Sequence, residues 1–292
     1  MIINIILILL LSGIIYLLCH KTVENYENEY ILPKTIYCYW DTFQDNQLIQ
    51  SHYRNWKRRV PSDWTIIQLD KDNVSQYVDS EFMNKYSDLP SYRFADFLRL
   101  YLLLKNGGVW IDFGSFIVDG KFLDDYYNEM HTQKYDVCLY EYTTRSTKMN
   151  HVHIPYYENW FIVAPKNSRF IKDLYDEFVK AHQMNFLTYK KEVLGNAYTN
   201  LTNTLGYEDG TYLMQHAIIQ ILIVKNEYNI NRKLAEESMF KIQESHNWNG
   251  TQIIEDILTR TDWSNIYAVK LTSGVRVHIT NEQDYINKID SL

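Results

Sequence analysis

"SYRFADFLRLYLLLKNGGVWIDFGS", residues 91–115, is the stretch from which the rest of the chain can be read. Phe94, Phe97, Leu98, Tyr101 and Leu102 recur at helical spacing, and Leu100, Leu103 and Leu104 cover much of the remaining circumference. A helix that is apolar nearly all round belongs inside a protein. Ser91 suits its N-cap and Gly107 its C-terminal stop. Arg93, Asp96 and Arg99 lie three apart on one side of that helix. Charges there need partners or a polar cleft, because burying them bare is costly. Two glycines then lead into a short apolar strand, Val109–Ile111, with Asp112 at its carboxyl end.

Upstream, Pro33 introduces "TIYCYW" (35–40), a β-branched and aromatic run that predicts a strand ending at Trp40-Asp41. A helix is expected over Gln44–Arg59, stopped before Pro61. "WTIIQL" (64–69) reads as a second strand, and another helix is expected around Ser75–Tyr86. This alternation over residues 33–112 predicts an open α/β sheet, in which ligands bind outside the carboxyl ends of strands. An aspartate at such an end suits a hard divalent cation that holds a diphosphate. Downstream, "NWFIVAP" (159–165) reads as a strand and Ser168–His182 as an amphipathic helix. "GYEDGTYLMQHAIIQ" (206–220) reads as a loop entering a buried helix. Lys270, Arg276 and His278, in "YAVKLTSGVRVH" (267–278), are late cations that could neutralise a leaving diphosphate.

Of the 292 residues, 46% are hydrophobic and 22% charged, which suits a packed core and argues against disorder. The net charge of −7 argues against a general nucleic-acid binder. Cys19, Cys38 and Cys138 are too few and scattered for a disulfide framework or a zinc site. Ile2–Cys19 carries no charge over about one bilayer thickness in helical form. The expected organisation is therefore a single-pass membrane anchor over residues 1–21, a tether over 22–31 and one globular domain over 32–292. The triplet Asp112-Phe113-Gly114 also occurs in protein kinases. No glycine-rich phosphate loop and no His-Arg-Asp catalytic loop accompany it here, so that reading falls.

"LPKTIYCYW", "YRFADFLRLYLLLKNGGVWID", "ENWFIVAPK" and "YAVKLTSG" together resemble the capsular-polysaccharide-synthesis type of sugar transferase, related to the DXD-containing family 32 glycosyltransferases. The resemblance implies a GT-A, Rossmann-like nucleotide-sugar-binding fold with a mixed central sheet. It also implies a nucleotide-sugar donor, a glycan or other hydroxyl acceptor, Mn²⁺ or Mg²⁺, and retention at the anomeric carbon. Asp96, Arg99, Gly107, Gly108 and Asp112 match the family's motif, while Ala95 replaces its serine. On that match Asp112 serves the metal and diphosphate, Asp96 the donor's ribose or sugar, and Arg99 braces the site. Arg93 and Gly108 join the donor side. Trp40 flanks the nucleobase or packs in the core. Asn159 and Trp160 face the sugar or acceptor, or serve structure. Glu158 and Asp209 are candidate catalytic carboxylates, and Lys270 is the preferred cation for the diphosphate. Gly114 stands where a full DXD motif has its second acidic residue. That departure supports a second reading, an inactive domain of the same fold that binds glycans or partners.

Overall fold

The computed structural model of the protein describes residues 29–149, 151–194 and 211–292. The expected anchor over residues 1–21 lies outside them, and among the described residues no helix is long and apolar enough to cross a membrane. Residues Leu32–Leu292 form one compact unit.

The β-branched and aromatic runs become strands of a six-stranded sheet. β1 (Thr35–Tyr39) lies between β2 (Thr65–Leu69) and β3 (Gly108–Ile111), parallel to both. On the far side of β3 comes β8 (Tyr157–Ala164), which runs antiparallel to it. β5 (Val137–Glu141) is antiparallel to β8 and parallel to the edge strand β9 (Ile230–Leu234). The sheet is thus mixed, as expected. Because only β8 is reversed, its amino end meets the carboxyl ends of the other strands along one edge. A smaller sheet pairs β4 (Ser115–Ile117) with β10 (Ala268–Lys270), and a hairpin joins β6 (Thr147–Met149) to β7 (Val152–Ile154).

The helix boundaries follow their caps. Helix α1 (Gln47–Arg59) starts later than Gln44 because the Asn46 side chain accepts from Ile49 N at 2.9 Å, leaving Phe43–Asp45 as a 3₁₀ turn. Helix α2 (Ser80–Tyr86) likewise starts at an Asp79 cap rather than at Ser75. Helix α3 (Ser91–Asn106) takes Pro90 as its cap residue: the Pro90 carbonyl receives Arg93 N and Phe94 N, so Ser91 is the first helical residue. Helix α4 (Lys121–Gln133) connects to β5, and α5 (Arg169–Gln183) is capped by Ser168 Oγ. In α6 (Met214–Lys225) every residue from Met214 to Leu222 is buried.

Helix α3 is interior, as its sequence requires. Phe97 is fully buried, stacked 4.0 Å from Tyr86 and 4.6 Å from Phe178 of α5 (ring centroids). A second core, centred on Phe116, Val269, Leu271 and Tyr285, joins the small sheet to α7 (Gly250–Thr259) and α8 (Glu282–Ser291). Cys38 and Cys138 are buried free thiols.

The glycine pair between α3 and β3 is a backbone requirement. Gly107 has φ of 72° and Gly108 of 113°, and the Gly107 N–H closes the helix on Leu103 O. A Cβ on Gly108 would fall 2.7 Å from the Thr35 carbonyl oxygen of β1. Gly108 lets β3 approach β1, at the end of the strand away from Asp112. Gly108→Ala should lower stability by about 2 kcal/mol or more in urea unfolding, through both strain and the clash. A loss within a few tenths of that of a surface substitution would contradict this account.

Candidate active site

The strand ends line a cavity of about 840 Å³. Trp40 follows β1, Asp112 and Gly114 follow β3, Tyr142 follows β5, and Glu158, Asn159 and Trp160 belong to the amino end of β8. From outside the sheet edge, Lys270 of β10 and Arg276 complete the wall.

Asp112 is held on every side but one. Its N–H donates to Trp160 O at 2.9 Å, fastening the β3 end to β8. Oδ1 accepts from Trp110 Nε1 at 2.8 Å and lies 3.5 Å from Arg99 Nη2, while Oδ2 accepts from Lys270 Nζ at 2.9 Å. Burial alone would raise the Asp112 carboxyl, but Lys270 and then Arg99 outweigh it and hold it below the ordinary aspartate value. The Lys270 ammonium is pulled down by burial, with Asp112 opposing.

Asp96 sits behind Asp112 in the same network. Its Oδ2 accepts from Arg93 Nη1 at 2.9 Å, and its Oδ1 lies 3.4 Å from Arg99 Nη2 and from Asn159 Nδ2. Arg99 also donates to Asn159 O at 2.8 Å. The burial of Asp96 raises its carboxyl above the ordinary value, against the pull of Arg99 and Arg93. Arg93 donates its other amino group to Thr211 O at 2.6 Å. It braces Asp96 from behind and is not among the residues lining the cavity.

Trp40 is partly exposed on the cavity wall, with the Arg276 guanidinium 5.4 Å from its ring, so it is not a core residue. Trp160 is stacked on Tyr140 at 5.2 Å and also lines the cavity, and its buried Nε1 has no hydrogen-bond partner among the described residues. Glu158 lies on the same wall, 3.4 Å from His216 Nε2. His278 sits elsewhere, against Gly250 and Thr251. Asp209 lies outside the described residues.

The expected divalent cation on Asp112 does not fit this donor set. Each carboxylate oxygen already accepts an N–H, Oδ1 from Trp110 and Oδ2 from the Lys270 cation. Among the described residues, no three His, Cys, Asp or Glu side chains gather to hold a metal. Position 114 is closed as well: a Cβ there would lie 2.5 Å from Arg276 Nη1 and 2.7 Å from Leu271 O.

Sequence reasoning missed the residues that hold the Asp112–Gly114 loop from beneath. His52 Nδ1 bonds the Phe113 carbonyl at 2.6 Å; a carbonyl only accepts, so this nitrogen carries the proton and Nε2 accepts from the Tyr285 hydroxyl at 2.9 Å. Trp56 Nε1 donates to Ser115 O at 2.9 Å, and Asn55 Oδ1 accepts from Ile117 N at 2.8 Å. All three project from α1. Their only signal was placement on one buried face of a helix. Trp110 had a clearer one, because residues two apart on a strand share a face and its indole could reach Asp112.

Three comparisons bear on this site. The model of the family described as capsular polysaccharide synthesis protein matches residues 16–270. The O-glycosyltransferase braB of Annulohypoxylon truncatum is 38% identical over 98 residues, a match covering 29% of this chain and 23% of that protein. The glycosyltransferase GlyE of Streptococcus pneumoniae TIGR4 superposes with a TM-score of 0.43 at 9% identity, over 89% of this chain and 64% of that one. The PaToxG glycosyltransferase gives 0.33 at 14% identity, over 89% and 87%. Neither structural likeness is close enough to carry an argument.

His52 makes one property of this site measurable. Burial pulls its imidazole down to about 4, so in the folded protein it stays neutral to near that pH. The unfolded chain takes up the proton near pH 6.5. Between pH 6.5 and 4 the unfolded state therefore binds more protons, and stability is lost as pH is lowered through that window. The total loss should be about 3 kcal/mol. Urea unfolding at both pH values should show that difference shrink in His52→Gln; an unchanged difference would rule His52 out as its source.

Proposed function

The chain belongs to the capsular polysaccharide synthesis protein family, and from that membership we propose that it is a glycosyltransferase of GT-A fold. It moves a sugar from a nucleotide-sugar donor to a hydroxyl of a glycan or related acceptor. The observation that carries the reading is the Asp96–Arg99–Asp112–Lys270 network at the carboxyl edge of the sheet, opening into a cavity of about 840 Å³. The local likeness to an O-glycosyltransferase over 98 residues supports it.

In this reading the donor's base lies against Trp40 and its diphosphate against Lys270 and Arg276. The bond between the anomeric carbon and the diphosphate oxygen breaks, and charge builds on the departing phosphate. Preplaced cations act where that charge develops, and in a cavity sheltered from water they act strongly. The acceptor oxygen forms the new bond to the anomeric carbon. With retention, as the family resemblance implies, its proton passes to the departing phosphate on the same face. Glu158, beside His216, and the unpartnered Trp160 Nε1 face the sugar and acceptor. Asp96, already shared among Arg93, Arg99 and Asn159, orients those groups more than it contacts the donor. The uncharged stretch Ile2–Cys19 supports an N-terminal membrane anchor for the same protein.

A panel of nucleotide sugars, assayed for hydrolysis and for transfer to glycan acceptors, tests this reading. Asp112→Asn leaves Lys270 without its ion-pair partner and should lower turnover by about a hundredfold or more while the protein stays folded. Glycan binding without turnover of any donor would favour the inactive, glycan-binding reading instead.

A further inference from the structure

Gly114 occupies the place where a related enzyme carries its second metal-binding carboxylate, and the structure gives a reason for the glycine. The space a side chain would need is filled by cations. A Cβ on Gly114 would stand 2.5 Å from Arg276 Nη1, 2.7 Å from Leu271 O and 3.3 Å from Lys270 Nζ. Lys270 Nζ sits 2.9 Å from Asp112 Oδ2.

Both cations are built in, not draped over the surface. Lys270 is 6% exposed and is set by its strand register, with its backbone opposite Ser115 in β4. The next residue donates its N–H to Gly114 O at 2.6 Å, so the Lys270 segment and the Asp112 loop are joined by main chain. Arg276 Nη1 donates to Leu271 O at 2.7 Å, and its guanidinium packs over Trp40. Beside Gly114 the two cations Lys270 and Arg276 face the single carboxylate of Asp112, a local excess of positive charge. The wider lining adds Arg99 and Arg145 on one side and Asp41, Asp96 and Glu158 on the other.

We infer that Lys270 and Arg276 take the place of the divalent cation, so that this protein binds the diphosphate of its donor without a metal ion. The inference rests on the glycosyltransferase reading above. Its distinguishing content is the source of the positive charge. Asp112 then works as a positioning residue that aims the Lys270 ammonium, and does not act as a metal ligand. Gly114 is the absence of a side chain that makes room for the two cations.

The test uses the purified full chain and a panel of nucleoside diphosphates (UDP, GDP, ADP and CDP) as probes, titrated calorimetrically in excess EDTA and again with Mn²⁺. The expected result is binding of at least one of them with affinities that agree within about twofold in the two conditions. Lys270→Met should weaken binding in EDTA by about tenfold or more, the loss of a charge-assisted contact. Where Lys270→Met lowers the melting temperature enough to cloud that result, Arg276→Gln repeats it on the second cation. Binding that needs Mn²⁺, and is at least about tenfold weaker in EDTA, overturns the inference while leaving the glycosyltransferase reading in place. Failure of every nucleoside diphosphate to bind in either condition removes both.

Discussion

A carboxylate largely withdrawn from water at the end of a buried strand needs counter-charge, and the way Asp112 meets that demand organises this protein. Its partners come from three directions: Trp110 from its own strand, Arg99 from the preceding helix and Lys270 from a strand far along the chain. Removing one partner of such an ion pair strands the other, which is why networks of this kind are costly to break even where they add little net stability. Asp96 repeats the arrangement one layer deeper, with Arg99 shared between the two carboxylates. The geometry of the cavity floor is thus over-determined by charge.

The backbone around Asp112 is equally constrained. Two residues in the left-handed region, Gly107 and Gly108, bring β3 hard against β1. Beyond the aspartate, His52, Trp56 and Asn55 of α1 grip the backbone at three alternate residues, Phe113, Ser115 and Ile117. Phe113 fills the space between, stacked on Trp56 at 5.1 Å and Phe43 at 5.4 Å. A loop fastened at this density presents its aspartate with little freedom, which suits a group whose task is to aim a neighbouring cation.

How much of this was legible follows from the range of the interactions. The strands at 35–39, 65–69 and 157–164 and the interior helix Ser91–Asn106 were readable because burial leaves a periodic mark within a few residues. Arg93, Asp96, Arg99 and Asp112 could be grouped because one helix and one turn join them. The helix starts at Gln47 and Ser80 were misplaced by a few residues because Asn46 and Asp79 outcompete the residues before them as caps. The pairing of Lys270 with Asp112 spans 158 residues and leaves no local trace. Family resemblance singled out the lysine, and it took the sheet register to show that the lysine sits on the aspartate. The structural contacts of Arg93 with Asp96 and of Gly108 with β1 were not legible for a related reason: motif membership does not tell a residue that touches a ligand from one that holds its neighbour in place.

The register of β10 against β4 has a consequence for how the molecule comes into being. Lys270 reaches Asp112 only through a two-stranded sheet whose halves are separated by more than half the chain. Contacts of such sequence separation form late and slowly, because the intervening loop must be ordered before they are made. On a ribosome, the strand bearing Asp112 emerges long before the lysine that neutralises it. During synthesis, therefore, the large sheet can assemble around a floor that lacks its counter-charge. The same C-terminal segment supplies both the second core and the cations Lys270 and Arg276, so the order in which the chain is made sets the order in which the floor is neutralised.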